Sequence, residues 1–336
     1  MQTVRLKDNK QGIDSAAAIL KAGGIVAIPT ETVYGLAASA FNDEAIGKVF
    51  AAKGRPQDNP LIVHVCDMDM LREVTSELPP EALVLAERFW PGPLTMVLGR
   101  SDKIADSVSR GLNTVAVRMP SNSVALEVIK QSGLPLAAPS ANLSGSPSPT
   151  TANHVICDLS GRIDAVIESG DCAVGVESTV VTLVTDPPRL LRPGAVTAEQ
   201  LSEFLPDLVI DKAVLAEPEK GEQVASPGMK YKHYSPKTNL VLVEGSADAF
   251  AEFVNGKKNS AAIAFSEDLT KLSVPALCYG SAEDAYRQAQ TVFALLRQTD
   301  SLGVETVYVH APEKRGVGLA VYNRLIRAAA FEVITL

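Results

Sequence analysis

The chain has 336 residues, 46% of them hydrophobic, and a formal net charge of −8 at pH 7. This length predicts two domains, and no uncharged apolar run is long enough for a membrane helix. The acidic balance disfavours non-specific binding to polyanions, so direct nucleic-acid binding should be weak or absent. The N-terminus lacks the apolar stretch of a secretory signal, and we therefore expect a cytoplasmic protein that makes no membrane contact.

The first two-thirds of the chain alternate between helical periodicity and short apolar runs. A helix over 14–22 with an Asp N-cap precedes a buried strand over 25–28. A second helix, over 43–53, begins after Asn42 or Asp43. Turn residues separate the remaining segments, which predict a helix over 80–89 and strands over 60–65, 94–98, 113–119, 134–139, 164–168, 176–184 and 189–192. These elements predict a mixed α/β sheet.

A proline-rich turn joins the last two of these strands. The residues Thr-Asp-Pro-Pro at 185–188 separate strand 176–184 from strand 189–192, which predicts a hairpin. Ser178 and Arg192 should therefore lie near the same open end of that hairpin.

The pattern changes after Pro206. Residues 211–235 are charged and then rich in Pro and Gly, which is typical of an interdomain linker. Helices and strands then alternate again, and this predicts a small Rossmann-like module. Its predicted elements are strands over 239–243, 261–265, 275–279 and 305–309, and helices over 247–255, 282–298 and 317–330.

The four cysteines lie far apart and form no C-x-x-C pair. This spacing argues against a disulfide framework and against a zinc ribbon. We expect core thiols at Cys66, Cys157, Cys172 and Cys278.

The first candidate for chemistry is Lys53-Gly-Arg55, followed by Pro56 and Asn59, where a helix runs into a loop. Cations at a helix C-terminus often only meet the helix dipole. The turn and the amide side chain add groups that suit the orientation of a phosphate or carbonyl.

The second candidate is the loop Pro139-Ser140-Ala141-Asn142, directly after the predicted strand 134–139. Open α/β sheets bind ligands at the carboxyl ends of strands, and hydroxyls and free N–H groups can hold a phosphate. An ordinary surface loop explains the composition equally well.

The third candidate is the strand 113–119. Alternation puts Thr114, Ala116 and Arg118 on one face, and the ~3.3 Å rise per residue separates Thr114 from Arg118 by roughly 13 Å. The two side chains could touch two parts of one extended ligand. A half-exposed strand with a solvated arginine is the commoner case.

Three further signals are weak alone. The segment Pro29–Leu36 presents Thr30, Glu31, Thr32 and Tyr34 at the end of a buried strand, where threonines are usually capping or sheet residues. His64 is a lone histidine in an apolar strand, which is more often a satisfied core residue. The segment 226–236 alternates lysines with tyrosines that could cover a nucleotide, although composition alone favours a connector.

Taken together, these segments resemble the threonylcarbamoyl-AMP synthase family in its long form, across essentially the whole chain. The order and spacing of the motifs carry the resemblance. They are PTETVYGL at 29–36, KGRP with DNPL at 53–61, WPGPLT at 90–95, VAVRMP at 115–120, APSANLSG at 138–145, ESTVV at 177–181, LRPGA at 191–195, SPGMKYKHYSP at 226–236 and GVGLAVYNRLIRAA at 316–329.

The resemblance implies an α/β fold with two domains. A catalytic domain over 1–206 would have a YrdC-like twisted mixed sheet with helices on its faces. A linker over 207–236 would lead to a smaller, Rossmann-like α/β domain over 237–336.

The resemblance also implies a nucleotidyltransferase that converts L-threonine, bicarbonate or CO2, and ATP into L-threonylcarbamoyl-AMP and pyrophosphate. The product would pass to the machinery that makes N6-threonylcarbamoyladenosine at position 37 of tRNA, with weak or absent direct binding of tRNA. Mg²⁺ would be held by the ATP phosphates and by no side chain.

The implied site residues fall into three groups. Lys53 and Arg55 would be catalytic. The ATP contacts would be Arg55, Asn59, Thr114, Ser140, Asn142, Ser148, Arg192 and Tyr234. The L-threonine contacts would be Thr32, His64, Arg118, Ala138 and Ser178.

The implied reaction needs positive charge and no nucleophilic side chain. A carbamate oxygen formed on threonine attacks the α-phosphorus and expels pyrophosphate, so charge builds on phosphate oxygens. Lys53, Arg55 and Arg192 suit that need. Arg118 suits threonine's carboxylate, and Tyr234 could act as a lid through which the second domain regulates access.

Three rival functions remain at this stage. A carbamoyltransferase resembling hydrogenase-maturation proteins would carry zinc-finger cysteines and an acylphosphatase-like segment, and the sequence shows neither. An RNA-binding module is disfavoured by the acidic balance and the 5% aromatic content. A serine hydrolase would need a G-x-S-x-G motif, which is absent.

Overall fold

Asparagine side chains begin three helices of the first half of the chain. Asn9, Asn42 and Asn122 each accept a hydrogen bond from a backbone N–H two or three residues later, which satisfies donors that the first helical turn leaves unpaired. In the computed structural model, which describes residues 2–56, 59–216 and 234–336, the helices are α1 (Lys10–Lys21), α2 (Asp43–Lys53), α3 (Met68–Val74), α4 (Pro80–Phe89), α5 (Asp106–Ser109), α6 (Ser123–Ser132), α7 (Ala152–Leu159), α8 (Ala198–Ser202), α9 (Ala247–Asn255), α10 (Ala285–Thr299) and α11 (Gly316–Ala328).

The strands are short and mostly buried, which is usual where helices cover both faces of a sheet. They are β1 (Val4–Lys7), β2 (Val26–Ile28), β3 (Gly35–Ser39), β4 (Ile62–His64), β5 (Leu94–Gly99), β6 (Thr114–Arg118), β7 (Leu136–Ala137), β8 (Ala165–Glu168), β9 (Thr179–Thr182), β10 (Arg189–Arg192), β11 (Val209–Ile210), β12 (Asn239–Glu244), β13 (Ser260–Ala264), β14 (Ala276–Cys278), β15 (Thr306–His310) and β16 (Val333–Thr335).

The first eleven strands form one mixed sheet in the order β1-β8-β2-β3-β7-β4-β6-β5-β9-β10-β11. Successive side chains of β2 point to opposite faces of this sheet and so pack in different hydrophobic clusters. Ala27 belongs to the larger cluster, and its neighbours Val26 and Ile28 belong to a smaller one. The strand β6 behaves as its alternation predicts, since Val115 and Val117 join the larger cluster and Ala116 does not. The predicted mixed α/β sheet is confirmed.

The last five strands form a separate sheet in the order β14-β13-β15-β12-β16. Every pair in it is parallel, and α9, α10 and α11 connect its strands. Parallel strands joined by helices give the Rossmann-like architecture that the sequence predicts for this part of the chain.

Two buried or partly buried ion pairs join the two sheets' domains. Arg297 on α10 makes a bidentate contact with Asp158 on α7, with N–O distances of 2.9 and 2.7 Å. Arg324 on α11 donates to Glu177, which precedes β9. The second domain therefore packs directly against the part of the first domain that precedes and follows β8.

Several sequence-based predictions need correction. The helix α1 begins at Lys10 and is capped by Asn9, so the predicted Asp N-cap, five residues later, is wrong: Asp14 lies inside the helix and pairs with Lys10. All four cysteines are free, but Cys157 and Cys278 are exposed, and only Cys172 is fully buried. Cys278 lies on β14 at the edge of its sheet, where one side has no neighbouring strand to cover it.

Within the predicted linker 207–236, β11 pairs with β10 and a 3₁₀ turn follows at Lys212–Val214. Residues 226–233 of the Lys- and Tyr-containing segment lie outside the described residues, and the domain boundaries stay a prediction. In the part of the chain that the structure describes, no helix is long and apolar enough to cross a membrane.

Candidate active site

A cavity lies among the ends of β2, β4, β6, β7 and β10, beside the second domain. Its wall includes the predicted L-threonine contacts Thr32, His64, Arg118, Ala138 and Ser178. It also includes four of the predicted ATP contacts, Arg55, Ser140, Arg192 and Tyr234. The fold thus brings together residues that span 202 positions of the chain, from 32 to 234.

Arg118, at the end of β6, makes three polar contacts in the cavity wall. Its Nη1 donates to Thr32 Oγ1 at 2.8 Å, its Nε donates to the Gly92 carbonyl at 3.2 Å, and its Nη2 lies 2.6 Å from Glu31 Oε1. Burial alone would raise the pKa of the Glu31 carboxyl, but the Arg118 guanidinium holds it below its ordinary value. The pair presents a fixed cation beside a hydroxyl.

A turn of threonines places Thr32 in this cluster. Thr30 Oγ1 donates to the Val33 carbonyl at 2.6 Å and lies 2.8 Å from Thr32 Oγ1. Backbone N–H groups of Thr32 and Val33 point back to the same Thr30 oxygen at 3.2 Å. The short loop between β2 and β3 is therefore closed by its own side chain, and it presents the Thr32 hydroxyl to Arg118.

His64 ends β4 and is 3% exposed. Burial, and then the nearby Arg118 guanidinium, lower its pKa to about 3, so the ring is neutral at physiological pH. Its Nδ1 has no hydrogen-bond partner among the described residues. A neutral ring nitrogen facing the cavity can exchange one hydrogen bond with a ligand.

The hairpin of β9 and β10 brings Ser178 and Arg192 together, as the sequence predicts. Arg192 donates from Nη2 to Ser178 Oγ at 3.1 Å and from Nε to the Ser178 carbonyl at 3.0 Å. The Ser178 hydroxyl also lies 2.7 Å from Thr95 Oγ1 on β5. Burial lowers the pKa of the Arg192 guanidinium to about 10, so it keeps its charge at neutral pH.

Gly194 allows the loop after β10 to approach β9. A Cβ atom at this position would lie 2.4 Å from the Thr179 nitrogen and 2.9 Å from the Glu177 carbonyl oxygen. Only glycine fits such a close approach of two backbones. The loop that follows Arg192 is thereby held against Glu177 and Ser178.

Glu177 is a buried residue of the cavity wall to which the sequence pattern assigns no role. Its Oε1 accepts from Ser148 Oγ at 2.5 Å, and its Oε2 accepts from Arg324 Nε at 2.8 Å. Burial alone would raise its pKa, but Arg324 and Arg192 hold the pKa of this carboxyl below its ordinary value. Ser148, a predicted ATP contact, is thus tied to the cavity wall through Glu177.

Lys53 lies behind the cavity. Its Nζ donates to the carbonyls of Ser140 and Asn142, the latter at 2.8 Å, and its own carbonyl accepts from Ser144 N at 2.9 Å. Burial and the nearby Arg55 charge lower the pKa of Lys53 well below its ordinary value. The geometry makes Lys53 the residue that shapes the loop 140–144, and its predicted catalytic role stays a prediction.

The other predicted ATP contacts lie outside the described cavity wall. Asn59 is buried, and Thr114 is half-buried at the start of β6. Asn142 donates to the carbonyls of Leu143 and Ser146, at 2.7 and 2.8 Å, and so closes its own loop. Their roles as ATP contacts stay predictions.

Tyr234 joins the cavity to the second domain. It adopts the left-handed backbone region with φ 63°, is 4% exposed, and packs its ring 5.1 Å from that of Phe293 on α10. The Arg324 guanidinium lies 5.9 Å from the ring centroid of Tyr234. The second domain therefore contributes to the cavity wall through the packing of this one tyrosine.

For two buried carboxylates of the site, the sequence does contain a signal. Glu177 opens the segment ESTVV, and Glu31 lies in PTETVYGL between the two threonines. Both carboxylates stand next to a residue predicted to bind L-threonine. Arg324 lies in the motif GVGLAVYNRLIRAA at 316–329. The sequence around it does not indicate that its side chain reaches Glu177, 147 residues earlier in the chain.

Comparisons with known proteins place these residues in a family. The family model Sua5/YciO/YrdC, described as "Telomere recombination", matches residues 18–194, and the model "Threonylcarbamoyl-AMP synthase, C-terminal domain" matches 196–330. The threonylcarbamoyl-AMP synthase of Pyrococcus abyssi is 41% identical over 98% of both chains. That of Bacillus subtilis is 43% identical over 99% of this chain and 97% of its own.

Comparison with solved structures supports the same family. A crystal structure of P. abyssi Sua5 complexed with L-threonine superposes with a TM-score of 0.90 and 38% identity, covering 100% of both chains. E. coli YciO, at 22% identity and a TM-score of 0.51 over 57% of this chain, shares the fold of the first domain. The resemblance found in the sequence is confirmed, and the chain belongs to the threonylcarbamoyl-AMP synthase family, whose members are enzymes of the nucleotidyltransferase type.

Proposed function

We propose that this chain makes L-threonylcarbamoyl-AMP from L-threonine, bicarbonate or dissolved CO2, and ATP, and releases pyrophosphate. The observation that carries the proposal is that a single cavity holds both the predicted L-threonine contacts and four predicted ATP contacts. The solved Sua5 relative that contains L-threonine supports the amino-acid part.

Threonine would bind beside Arg118. Its carboxylate would meet the guanidinium, which already donates to Thr32 and pairs with Glu31. Because Glu31 holds one side of the guanidinium, the substrate carboxylate would share Arg118 with it and face the cavity. Charge-assisted hydrogen bonds of this kind are about twice as strong as neutral ones.

The threonine hydroxyl and amine would meet neutral partners. His64, whose Nδ1 has no partner among the described residues, and Ser178 both line the cavity. A neutral imidazole suits this position, since a second fixed cation near Arg118 would repel the ammonium of the amino acid. The low pKa of His64 is consistent with that role.

ATP would lie against Arg55, Ser140 and Arg192, with Tyr234 packed beside it. The ammonium group of threonine first releases a proton to solvent, and the resulting amine nitrogen attacks the carbon of CO2. A second proton leaves the nitrogen for solvent, which gives a carbamate. A carbamate oxygen then bonds to the α-phosphorus while the bond from that phosphorus to the bridging oxygen of pyrophosphate breaks. Arg55 and Arg192 would stabilise the charge that develops on the phosphate oxygens.

Mg²⁺ is proposed to arrive with ATP. Glu31 and Glu177, the carboxylates at the cavity, are each paired with an arginine. Within residues 2–56, 59–216 and 234–336, no group of three or more His, Cys, Asp or Glu could hold a metal ion. The ATP phosphates would therefore hold the ion, which would neutralise charge on the leaving pyrophosphate.

The product would leave for a further reaction. A threonylcarbamoyl group activated as a mixed anhydride with AMP suits transfer to an amine, and we propose that it supplies N6-threonylcarbamoyladenosine at position 37 of tRNA. We also propose that the protein works in the cytoplasm, where a separate tRNA-modifying machinery takes up the product.

The test is pyrophosphate release by purified protein with ATP, Mg²⁺ and bicarbonate, with and without L-threonine. We expect release that depends on both threonine and bicarbonate, and slower release with L-serine, which lacks the methyl group. A Ser178→Ala variant should bind threonine less tightly, and Ser202→Ala, an exposed serine on α8, is the matched control. Release that ignores threonine would overturn the proposal.

A further inference from the structure

A second cavity, with a volume of about 560 Å³, opens at the carboxyl edge of the C-terminal sheet. Gly245, Phe265 and Ala311 line it, and each directly follows a strand of that sheet. Ala285 and Gly318, in the first turns of α10 and α11, complete the wall. Open α/β sheets bind ligands at this edge, outside the carboxyl ends of their strands.

Gln288 supplies an unused polar atom in this cavity. The side chain is 1% exposed, and its Nε2 donates to the carbonyls of Ser281 and Ala282 at 2.7 and 3.2 Å. These two bonds fix the orientation of the amide. The Oε1 atom has no partner among the described residues, although a buried acceptor left without a donor costs about 1–3 kcal/mol.

The floor of the cavity is formed by His310 and the groups that pack around it. His310 lies with Nδ1 2.7 Å from Asp268 Oδ2 and Nε2 3.0 Å from the Gly245 carbonyl. The Phe250 ring stacks on His310 at 4.5 Å between centroids, and Phe265 lies at 4.8 Å. Among the described residues, Gln288 Oε1 is the buried acceptor of this lining that has no donor.

The rim of the cavity is acidic. Glu267, Glu283 and Glu313 are exposed carboxylates of the lining. The one arginine of the lining, Arg315, is paired with Glu313, with 2.6 Å between Nε and Oε2. A phosphate or a free carboxylate would meet net repulsion there. A cation that donates hydrogen bonds would be attracted by the rim and could reach Gln288 Oε1.

We propose that this cavity binds a small molecule through a primary ammonium group, which passes the acidic rim and donates to Gln288 Oε1. A metal ion does not fit, because no group of three or more His, Cys, Asp or Glu among the described residues could hold one. Amino acids and simple amines both carry the required group. The site is separate from the cavity that contains Arg118, so its existence does not depend on the proposed reaction.

The test is isothermal titration of the full chain with putrescine, L-lysine and AMP at low ionic strength. Binding of putrescine and L-lysine would show that the ammonium suffices, and binding of L-lysine alone would indicate a zwitterion. Binding of neither amine, or AMP binding that Ala282→Trp abolishes, would overturn the proposal.

Variants locate the bound amine. Ala282→Trp fills the cavity from an exposed position and should weaken binding at least tenfold, and Glu283→Gln should weaken it about threefold. Glu252→Gln, an exposed carboxylate of α9 outside the lining, is the matched control and should change nothing. Ser178→Ala in the other cavity should also leave amine binding intact. Loss of binding in Ser178→Ala, with none in Ala282→Trp, would place the amine in the first cavity and overturn the inference.

Discussion

Arg324 on α11 and Glu177 before β9 lie 147 residues apart in the chain and meet in a buried ion pair, with 2.8 Å between Nε and Oε2. Arg324 also donates to the carbonyls of Pro193 and Glu177 at 2.8 and 3.2 Å. One side chain of the second domain therefore supports both the carboxylate and the backbone of the cavity wall.

Removing this arginine should be costly. In Arg324→Met, the Glu177 carboxylate stays buried without its main counter-ion, and breaking such a pair costs about 3–5 kcal/mol. We expect that loss in the free energy of unfolding, measured by urea denaturation. Adding Glu177→Gln should recover part of it, because a neutral amide needs no counter-charge.

Arg72→Met, at an exposed arginine paired with Asp69, is the control for Arg324→Met. It should change the free energy of unfolding by less than about 0.5 kcal/mol. Equal losses in Arg324→Met and in the double variant would show that the ion pair is not the source of the effect.

Substitution of Arg118 and of Arg55 should each weaken the binding of a different substrate. Arg118→Lys keeps the charge but loses the planar fork that holds Thr32 and Glu31, and it should weaken L-threonine binding about 10- to 100-fold. Arg55→Lys should weaken ATP binding and leave threonine affinity nearly unchanged. Equilibrium binding of each substrate alone measures both effects, and a uniform loss in either variant would contradict this division.

Lys53 should act through the loop that it holds. Lys53→Met leaves the carbonyls of Ser140 and Asn142 without their donor, so we expect a loss of about 1–3 kcal/mol in stability and a larger rise in KM for ATP than for threonine. Lys48→Met on the same helix removes a hydrogen bond to the Gly23 carbonyl and an exposed ion pair with Glu44, and it should alter neither KM. A fall in kcat with both KM values unchanged would instead support direct contact with the reacting phosphate.

His64 should make stability depend on pH. Unfolded histidine gains a proton near pH 6.5, whereas folded His64 stays neutral down to about pH 3, so the unfolded state binds more protons between these values. Stability is then full above pH 6.5 and falls by about 1.4 kcal/mol per pH unit below it.

Between pH 7 and pH 5 this amounts to about 2 kcal/mol, which a His64→Gln variant should not lose. Urea unfolding at the two pH values provides the measurement. Identical pH dependence in the two proteins would mean that His64 is protonated in the folded state.

Local signals explain which helices were predictable. The bounds of α2, α4 and α9 agree with those predicted because each has a strong start signal: Asn42, Pro80 at the first helical position, and Ser246. The strand β3 was missed because its sequence, GLAAS, is made of small residues without strand preference. It is a strand because β2 and β7 pair with it on either side.

The site also contains residues that could be predicted from the sequence and contacts that could not. Thr32, His64, Arg118 and Ser178 were predicted as L-threonine contacts from the family resemblance, and all of them line the cavity. The pairing of Arg118 with Glu31 and of Glu177 with Arg324 could not be derived, since periodicity reports which face a residue occupies and not which distant residue it meets.

The separation of Glu177 from Arg324 has a consequence for synthesis of the protein. A ribosome makes the whole first sheet, with Glu177 in it, well before α11 emerges. Until then, the cavity wall contains a carboxylate without its guanidinium, and the loop after β10 lacks the donor that holds the Pro193 carbonyl. We expect nascent chains to complete the cavity only after α11 has docked, and under the proposed function unfinished chains would not consume ATP.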